Sequence, residues 1–539
     1  MTERSEPAPS AESGDQTPAT GESEATPPGG VPAPMTHREV LVVIGGLMVG
    51  LFLAALDQTI VATALPTIVG ELGGIEQYSW TVTAYLLTAT ASTPLYGKIG
   101  DLYGRKSVFQ AAVVIFVLGS LVSAVATSMG VLIIGRAVQG LGAGGLIALT
   151  LAIVGDIVSP RERGRYQGLF GAVFGISSVL GPLLGGFFTE SLSWRWVFWI
   201  NVPLGLVALL TIQRTLHLPK KRVEHSIDYV GAALIVAAVS AILLVTVWGG
   251  NEYEWNDPLI VGLAVLGVAL IGVFVAWELR VPEPLLPMRL FKNPVFSNTS
   301  AVSFLFGIAF FGGIIYLPVY LQVVRGYGPT ASGLLLLPLV LGIFITSTGS
   351  GLLITRTGRY KIFPVVGLGI IAAAMFWLST LQVDTPMWNV SLRVFVLGFG
   401  LGLVIQTLVV AVQNAVAPRD LGVATSSNTF FRSMGGAIGT AVFGSVLTAT
   451  LTSSLAAQFP SGTPDGVDPS AISGTPEAIQ ALPDAVREPL LASFMDAIDR
   501  VFLVAVPVVV LAFALTLFLK ELRLRETSGL QEDAREPMA

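Results

Sequence analysis

The sequence predicts an all-α integral membrane protein of about fourteen transmembrane helices, arranged as two six-helix bundles with two further helices between them. Three observations lead there. Only 12% of the 539 residues are charged and 53% are hydrophobic, with a mean hydropathy of +0.74. Soluble domains carry about 25% charged residues, and a water-soluble fold could not hide this much apolar surface. The apolar runs are also long and unbroken, whereas barrel strands would read as short alternating segments; the backbone must then pair within helices. Finally, Lys and Arg fall on one side of the alternating loops. With the amino terminus placed in the cytoplasm, twenty-three of the 30 lie on that side, and only Arg195, Arg325, Arg487 and Arg500 lie outside, as the positive-inside rule requires.

Residues 1–35 are rich in Pro, Ser, Thr, Glu and Gly. They lack the basic start and apolar core of a signal peptide, and are expected to form a disordered cytoplasmic tail. A span needs about 20 apolar residues. Candidates lie at 40–65, 78–97, 107–127, 131–155, 167–188 and 196–214, which make the first bundle (40–214). Spans 229–248 and 258–278 fall in an inserted linker (215–297). Spans 298–321, 331–354, 361–381, 390–414, 422–447 and 500–520 make the second bundle (298–520), followed by a cytoplasmic tail at 521–539. The second span carries Thr81, Thr83, Thr88, Thr90, Ser92 and Thr93, and is expected to line a cavity. The stretch at about 448–499 reads as an outer loop. The basic linker around Lys220, Lys221 and Arg222 reads as orientation charge, with contact to anionic lipid headgroups as the alternative.

Several function classes drop out. There is no cysteine, hence no disulfide framework or thiolate metal site. His37, His217 and His225 sit at loop flanks with no metal spacing. No phosphate-binding loop is present, and no clustered polar residues suggest an enzyme at a bilayer face. Gly140-Leu-Gly142-Ala-Gly-Gly145 matches a dinucleotide fingerprint but lies mid-span with no preceding strand, so it is rejected. The expectation is a transporter with no metal and no cofactor, driven by the proton gradient. Its partners are small-molecule substrates, protons and membrane lipid, not nucleic acid.

The chain also echoes itself. Gly97, Gly104 and Arg105 after the second span align without gaps to Gly351, Gly358 and Arg359 after the tenth. Related halves around a central site are a common transporter plan.

With these motifs the chain resembles the major facilitator superfamily, in particular its drug:proton antiporter branch with fourteen spans, over about residues 40–520. The resemblance rests on Leu56-Asp57-Gln-Thr59 through Pro66, on Gly97…Asp101…Gly104-Arg105-Lys106, on Gly135-Arg136…Gln139-Gly140, on Gly175…Gly181-Pro182…Gly185-Gly186, on Trp194-Arg195-Trp196…Asn201, on Tyr316-Leu-Pro318 and on Arg432-Ser-Met-Gly435-Gly436. The chain departs from it at Ala62, where the family usually has Asn, and at Thr355, where the first copy of the loop motif has Asp101. The resemblance implies a multidrug efflux protein of a bacterial plasma membrane, working as a monomer, with both termini cytoplasmic. The alternative is export of an endogenous lipid, metabolite or biosynthetic product; uptake by proton symport is disfavoured by the fifth-span motif.

Candidate functional residues follow. Asp57 lies about 12 Å below the outer end of its span at 1.5 Å per residue. A carboxylate in hydrocarbon must face a cavity, pair or hold a proton. Arg136 reaches a similar depth from the antiparallel fourth span, so the two are expected to form the proton-coupling pair. Asp101, Arg105, Asp156 and Arg161, with Gly97 and Gly104, are expected to form a cytoplasmic charge cluster that latches one conformation. Gly171, Gly175, Gly181, Gly185 and Gly186 provide close helix contact, with a kink at Pro182; the family associates this segment with export. Gln139, Gln406, Asn428 and Arg432, with Tyr85, Phe304 and Phe310, are candidates for the substrate cavity.

Overall fold

In the computed structural model, residues 37–73, 77–216, 228–250, 252–459, 479–480 and 482–526 are described. The tail at 1–35, the Lys220–Arg222 linker, residues 460–478 and 481 of the outer stretch, and residues 527–539 lie outside that set. Among the described residues 85% of the structure is helical and no strand occurs. The helices are α1 (His37–Leu72), α2 (Tyr78–Tyr103), α3 (Arg105–Ala124), α4 (Met129–Ile157), α5 (Gln167–Ser191), α6 (Trp196–Trp199), α7 (Asn201–Thr215), α8 (Tyr229–Trp248), α9 (Pro258–Glu278), α10 (Pro294–Val319), α11 (Pro329–Leu335), α12 (Leu337–Thr357), α13 (Ile362–Leu378), α14 (Met387–Ala415), α15 (Leu421–Gln458) and α16 (Asp484–Leu517).

Local chemistry sets their ends. Ser128, Asp228, Asp257 and Asn293 cap α4, α8, α9 and α10 by accepting free backbone N–H groups of the first turn, as short polar side chains do at N-caps. Pro258 and Pro294 occupy first-turn positions, where the missing N–H costs nothing. Gly104, between α2 and α3, has φ 89°, and Gly358, closing α12, has φ 71°. Both need the freedom of glycine, and they form one of the two glycine pairs matched by the internal echo.

Each of the fourteen predicted stretches overlaps a helix, though 107–127, 361–381 and 500–520 run a few residues past the ends of α3, α13 and α16. Among the described residues, twelve helical segments are long and apolar enough to cross a membrane. The other two are α2, whose threonines dilute its hydropathy, and α13, which has 17 residues. The sequence reading of 448–499 as loop is corrected at both ends: α15 runs to Gln458 and α16 begins at Asp484. These helices outrun the 30 Å hydrocarbon thickness, because polar helix surface is stable in water once a helix has been nucleated by its buried part.

Two apolar cores mark the halves. One is built by α1–α5 and α7 around Leu53, Phe109, Phe116 and Leu146. The other is built by α10–α16 around Phe306, Leu368, Leu401 and Phe502. A third core joins α8 and α9, through Ile235, Val239 and Phe274, to Ala91 of α2 and to Val423, Phe430 and Met434 of α15. The inserted pair therefore packs over the α2–α15 seam between the halves. The opposite seam is formed by α5 and α12.

Candidate functional site

Four helices of the first half converge on Asp57. Its carboxylate is fully buried and forms an ion pair with Arg136 of α4, itself 2% exposed. The other carboxylate oxygen, Oδ1, accepts hydrogen bonds from Gln139 Nε2 (2.9 Å) and Asn201 Nδ2 (3.0 Å). Arg136 also donates to Gln139 Oε1 (3.0 Å) and to the Thr81 carbonyl (3.3 Å). Its guanidinium lies 4.3 Å from the ring centre of Tyr85, a cation–π geometry, and the Tyr85 hydroxyl donates to the Ala54 carbonyl (3.2 Å). α1, α2, α4 and α7 thus share one buried polar cluster.

Small residues make the convergence possible. A Cβ at Gly140 would overlap Thr88 and the Tyr85 carbonyl on α2; one at Gly142 would lie 2.5 Å from the backbone nitrogen of Phe116 on α3. The Gly140–Gly145 run is therefore a packing strip on two sides of α4.

A buried ion pair is held in its charged form only while every member is hydrogen-bonded; losing one charge strands the other at a cost of about 3–5 kcal/mol. Protonating Asp57 would remove the anion that holds Arg136. The pair thus ties the charge on α1 to its contact with α4.

The structure places Tyr85 and Gln139, read from sequence as cavity residues, inside this cluster. The remaining five divide among other settings. Asn428 donates to Ser303 Oγ (2.8 Å) and ties α15 to α10. Phe304 sits half-buried in the core shared with α8 and α9. Phe310 packs against Phe306. Gln406 lines a small cavity with Phe170, Arg163 and Gln413. Arg432 is half-buried on α15, its backbone carbonyl against Gly307 of α10.

At the end of the molecule where Lys and Arg concentrate, Arg105 bridges Asp101 (2.8 Å) and Asp156 (2.7 Å) and donates to the Ala152 carbonyl (2.6 Å). Asp101 reaches the second half, where its Oδ2 accepts the backbone N–H of Val423 (3.1 Å). Gly97 makes room for this junction: a Cβ there would overlap Ser426 and lie 2.8 Å from the Gly422 carbonyl. Arg161 does not join the cluster. It donates to the Thr355 carbonyl of α12 (3.0 Å) and pairs with Glu526, because its loop has already turned away from α4 towards α12. A second buried guanidinium near Asp156, beside that of Arg105, is that of Arg163. It binds the Gly155 and Val158 carbonyls and Gln413 of α14, and burial pushes its pKa down to about 9, while Asp156 opposes that shift. Sequence treated Arg163 only as orientation charge; its place two residues beyond Arg161, at a Pro160–Gly164 turn, was the available signal. In the sequence Asn201 stands out only as part of the Trp194–Asn201 motif.

On the opposite seam, α5 packs against α1 and α12 through its glycines. A Cβ at Gly181 would overlap Thr59 of α1, and one at Gly185 would lie 2.9 Å from the Ile60 carbonyl; at Gly175 it would overlap Val340 of α12. Thr59 Oγ1 donates to the Ser177 carbonyl (2.9 Å). Gly186 faces open space. Pro182 interrupts the α5 ladder.

The comparisons agree with this architecture. The sequence profile of the Major Facilitator Superfamily matches residues 47–440. The chain is 43% identical over 496 residues to an uncharacterised MFS-type transporter of Mycobacterium tuberculosis (strain ATCC 25618 / H37Rv), covering 91% of this chain and 71% of that protein. It is 35% identical over 523 residues to the multidrug transporter protein MdtP of Bacillus subtilis (strain 168), covering 92% and 96%. Among solved structures, the human organic anion transporter MFSD10 superposes with a TM-score of 0.60 at 16% identity, covering 88% of this chain and 99% of that one. Members of this group are transporters, not enzymes, and work without a cofactor. Profile, relatives and helical architecture together place the chain in the Major Facilitator Superfamily, as a multi-pass membrane transporter.

Proposed function

We propose that the protein is a proton-driven antiporter that exports small, largely apolar molecules, such as drugs, antibiotics or dyes, from the cytoplasm. In this reading it is a monomer in a bacterial plasma membrane and crosses it fourteen times, with both termini inside. α2 and α13 count as crossings because each connects, through short links, helices that run the same way. The observation that carries the proposal is the buried Asp57–Arg136 pair with its Gln139, Asn201 and Tyr85 partners. An intramembrane charge pair of this kind marks proton pathways.

In the proposed cycle a proton from outside neutralises Asp57 and frees Arg136. The halves then rock, and the Asp101–Val423 and Arg163–Gln413 ties at the basic end break. Substrate enters from the cytoplasm, and Asp57 gives up its proton there before the ties re-form. Similarity to the multidrug transporter protein MdtP and to a multidrug resistance protein of Bacillus subtilis (34% identity) supports drug export. Export of a biosynthetic product is the second reading, favoured by 36% identity over 405 residues to a transporter of the acurin A biosynthesis cluster of Aspergillus aculeatus.

The test is Asp57→Asn in proteoliposomes with an imposed pH gradient, assayed across dyes, antibiotics and the organism's own secreted products. Gradient-driven transport should be lost while exchange of substrate for substrate persists. Undiminished gradient-driven transport in the variant would refute the coupling role.

A further inference from the structure

Asp57 has no exposed surface, and both of its oxygens are engaged. A proton must therefore reach it through protein. Around the cluster, three side-chain atoms are buried without a hydrogen-bond partner: Thr81 Oγ1 on α2, Ser123 Oγ on α3 and Asn201 Oδ1 on α7. None of the three residues has exposed surface. An unsatisfied buried polar atom costs about 1–3 kcal/mol, and sites with several such groups are where ordered water resides.

Their placement is directional. Thr81 is in the first turn of α2, Ser123 in the last turn of α3, and Asn201 opens α7. All three are helix ends on the side of Asp57 away from the basic end. They also surround the ion pair. The Thr81 carbonyl accepts from Arg136, and Ser123 packs against Gly135, the residue before Arg136. Asn201 Nδ2 donates both to Asp57 Oδ1 and to Ser120 Oγ (3.0 Å each). Ser120 and Ser123 are about one turn apart on α3. Just past the end of α3, the Ala126 carbonyl accepts from Arg195 (3.3 Å), whose guanidinium is paired with Glu71 (2.7 Å) at the protein surface. Polar groups thus run from the surface to the carboxylate.

We infer that Thr81, Ser123, Ser120 and Asn201 bind a file of water molecules that conducts protons from the outer surface, beneath the Glu71–Arg195 pair, to Asp57, with Asn201 as a positioning residue. The inference rests on the reading of Asp57 as the proton carrier. The transfer is a hand-over of one proton. A proton joins the outermost water, each water passes one on, and the last forms an O–H bond at Asp57 Oδ1. No electrons move, the waters are regenerated, and the site gains one positive charge. The titratable side chains facing Asp57 are Arg136 from α4 and Tyr85 from α2; α3 and α7 present only Ser120 and Asn201.

The experiment uses the full chain in lipid nanodiscs and needs no transported substrate. After a rapid drop in pH, infrared spectroscopy follows the growth of the carboxyl C=O band that is absent in Asp57→Asn. Thr81→Val keeps the shape of the side chain, and Ser123→Ala removes one oxygen. Each should slow the band's growth several-fold and the double variant about tenfold, with the same final amplitude and the same melting temperature as the parent. Asn201→Ala should slow it and also change the titration midpoint, because that variant removes a bond to the carboxylate. An intact band that grows at the parental rate in both Thr81→Val and Ser123→Ala would overturn the water file and leave the coupling reading standing. Absence of any Asp57-dependent band in the parent would overturn both.

Discussion

The Asp101 junction gives a quantitative forecast. Its carboxylate accepts from Arg105 Nε (3.2 Å) and Nη2 (2.8 Å) within the first half, and from Val423 N–H (3.1 Å) across to the second. Asp101→Ala leaves Arg105 paired with Asp156, so no guanidinium is stranded. What is lost is one charge-assisted hydrogen bond between halves. Such bonds are worth about 1.5–3 kcal/mol, and at 1.4 kcal/mol per decade the equilibrium between joined and separated ends should move about 10- to 100-fold towards separation. Asp101→Asn keeps an acceptor without the charge and should fall between variant and parent. Because the chain has no cysteine, spin labels can be attached at Ser107→Cys and Arg419→Cys, one on each half, with no background. Distances from double electron–electron resonance should then show a longer component rising in Asp101→Ala. A distance distribution in which the two components keep their parental ratio within twofold would refute the reasoning.

Other outcomes follow from the same contacts. Gly181→Ala, which would overlap Thr59, should destabilise the protein by about 1–3 kcal/mol, whereas Gly186→Ala, facing open space, should be neutral or slightly stabilising; thermal unfolding of the two variants in one detergent compares them. Arg136→Leu alone should cost about 3–5 kcal/mol, and adding Asp57→Leu should recover much of it, which a double-mutant cycle measures; additive losses would contradict the pairing. Hydrogen bonding to Arg195 is the main cause that holds the Glu71 carboxyl below its usual value, and the Trp194 indole adds to it. The sign is that of a depressed acid. This tie is complete above the ordinary carboxylate range and lost as pH falls through the lowered value, so Trp194 fluorescence should change at more acidic pH than an ordinary glutamate titration, and not at all in Glu71→Gln.

The long apolar runs made the helices legible, since hydrocarbon permits little else. Asp57 and Arg136 were legible too, because depth along a helix follows from residue number at 1.5 Å per residue. What depth does not give is azimuth. Gln139 and Tyr85 could be placed near the right level, yet nothing in a single helix says which neighbour they face, so they were read as cavity walls. Asn201 belongs to a helix 144 residues away from Asp57, and no local pattern announces so distant a contact. Arg161 and Arg163 differ by two positions in one loop; which of them is buried depends on where that loop meets α14, a fact of packing between halves. The overrun of α15 to Gln458 is not legible in the sequence, because apolar character ends where lipid does, while helical hydrogen bonding does not.

The two bundles meet along two flanks, α2 with α15 and α5 with α12. Here they are unequal. The α8–α9 hairpin is fastened by Ile235, Val239 and Phe274 across the α2–α15 flank, while among the described residues the α5–α12 flank carries no such added helix pair. One flank is therefore braced by an added helix pair, while the other is held by direct packing of α5 on α12, as where Gly175 meets Val340.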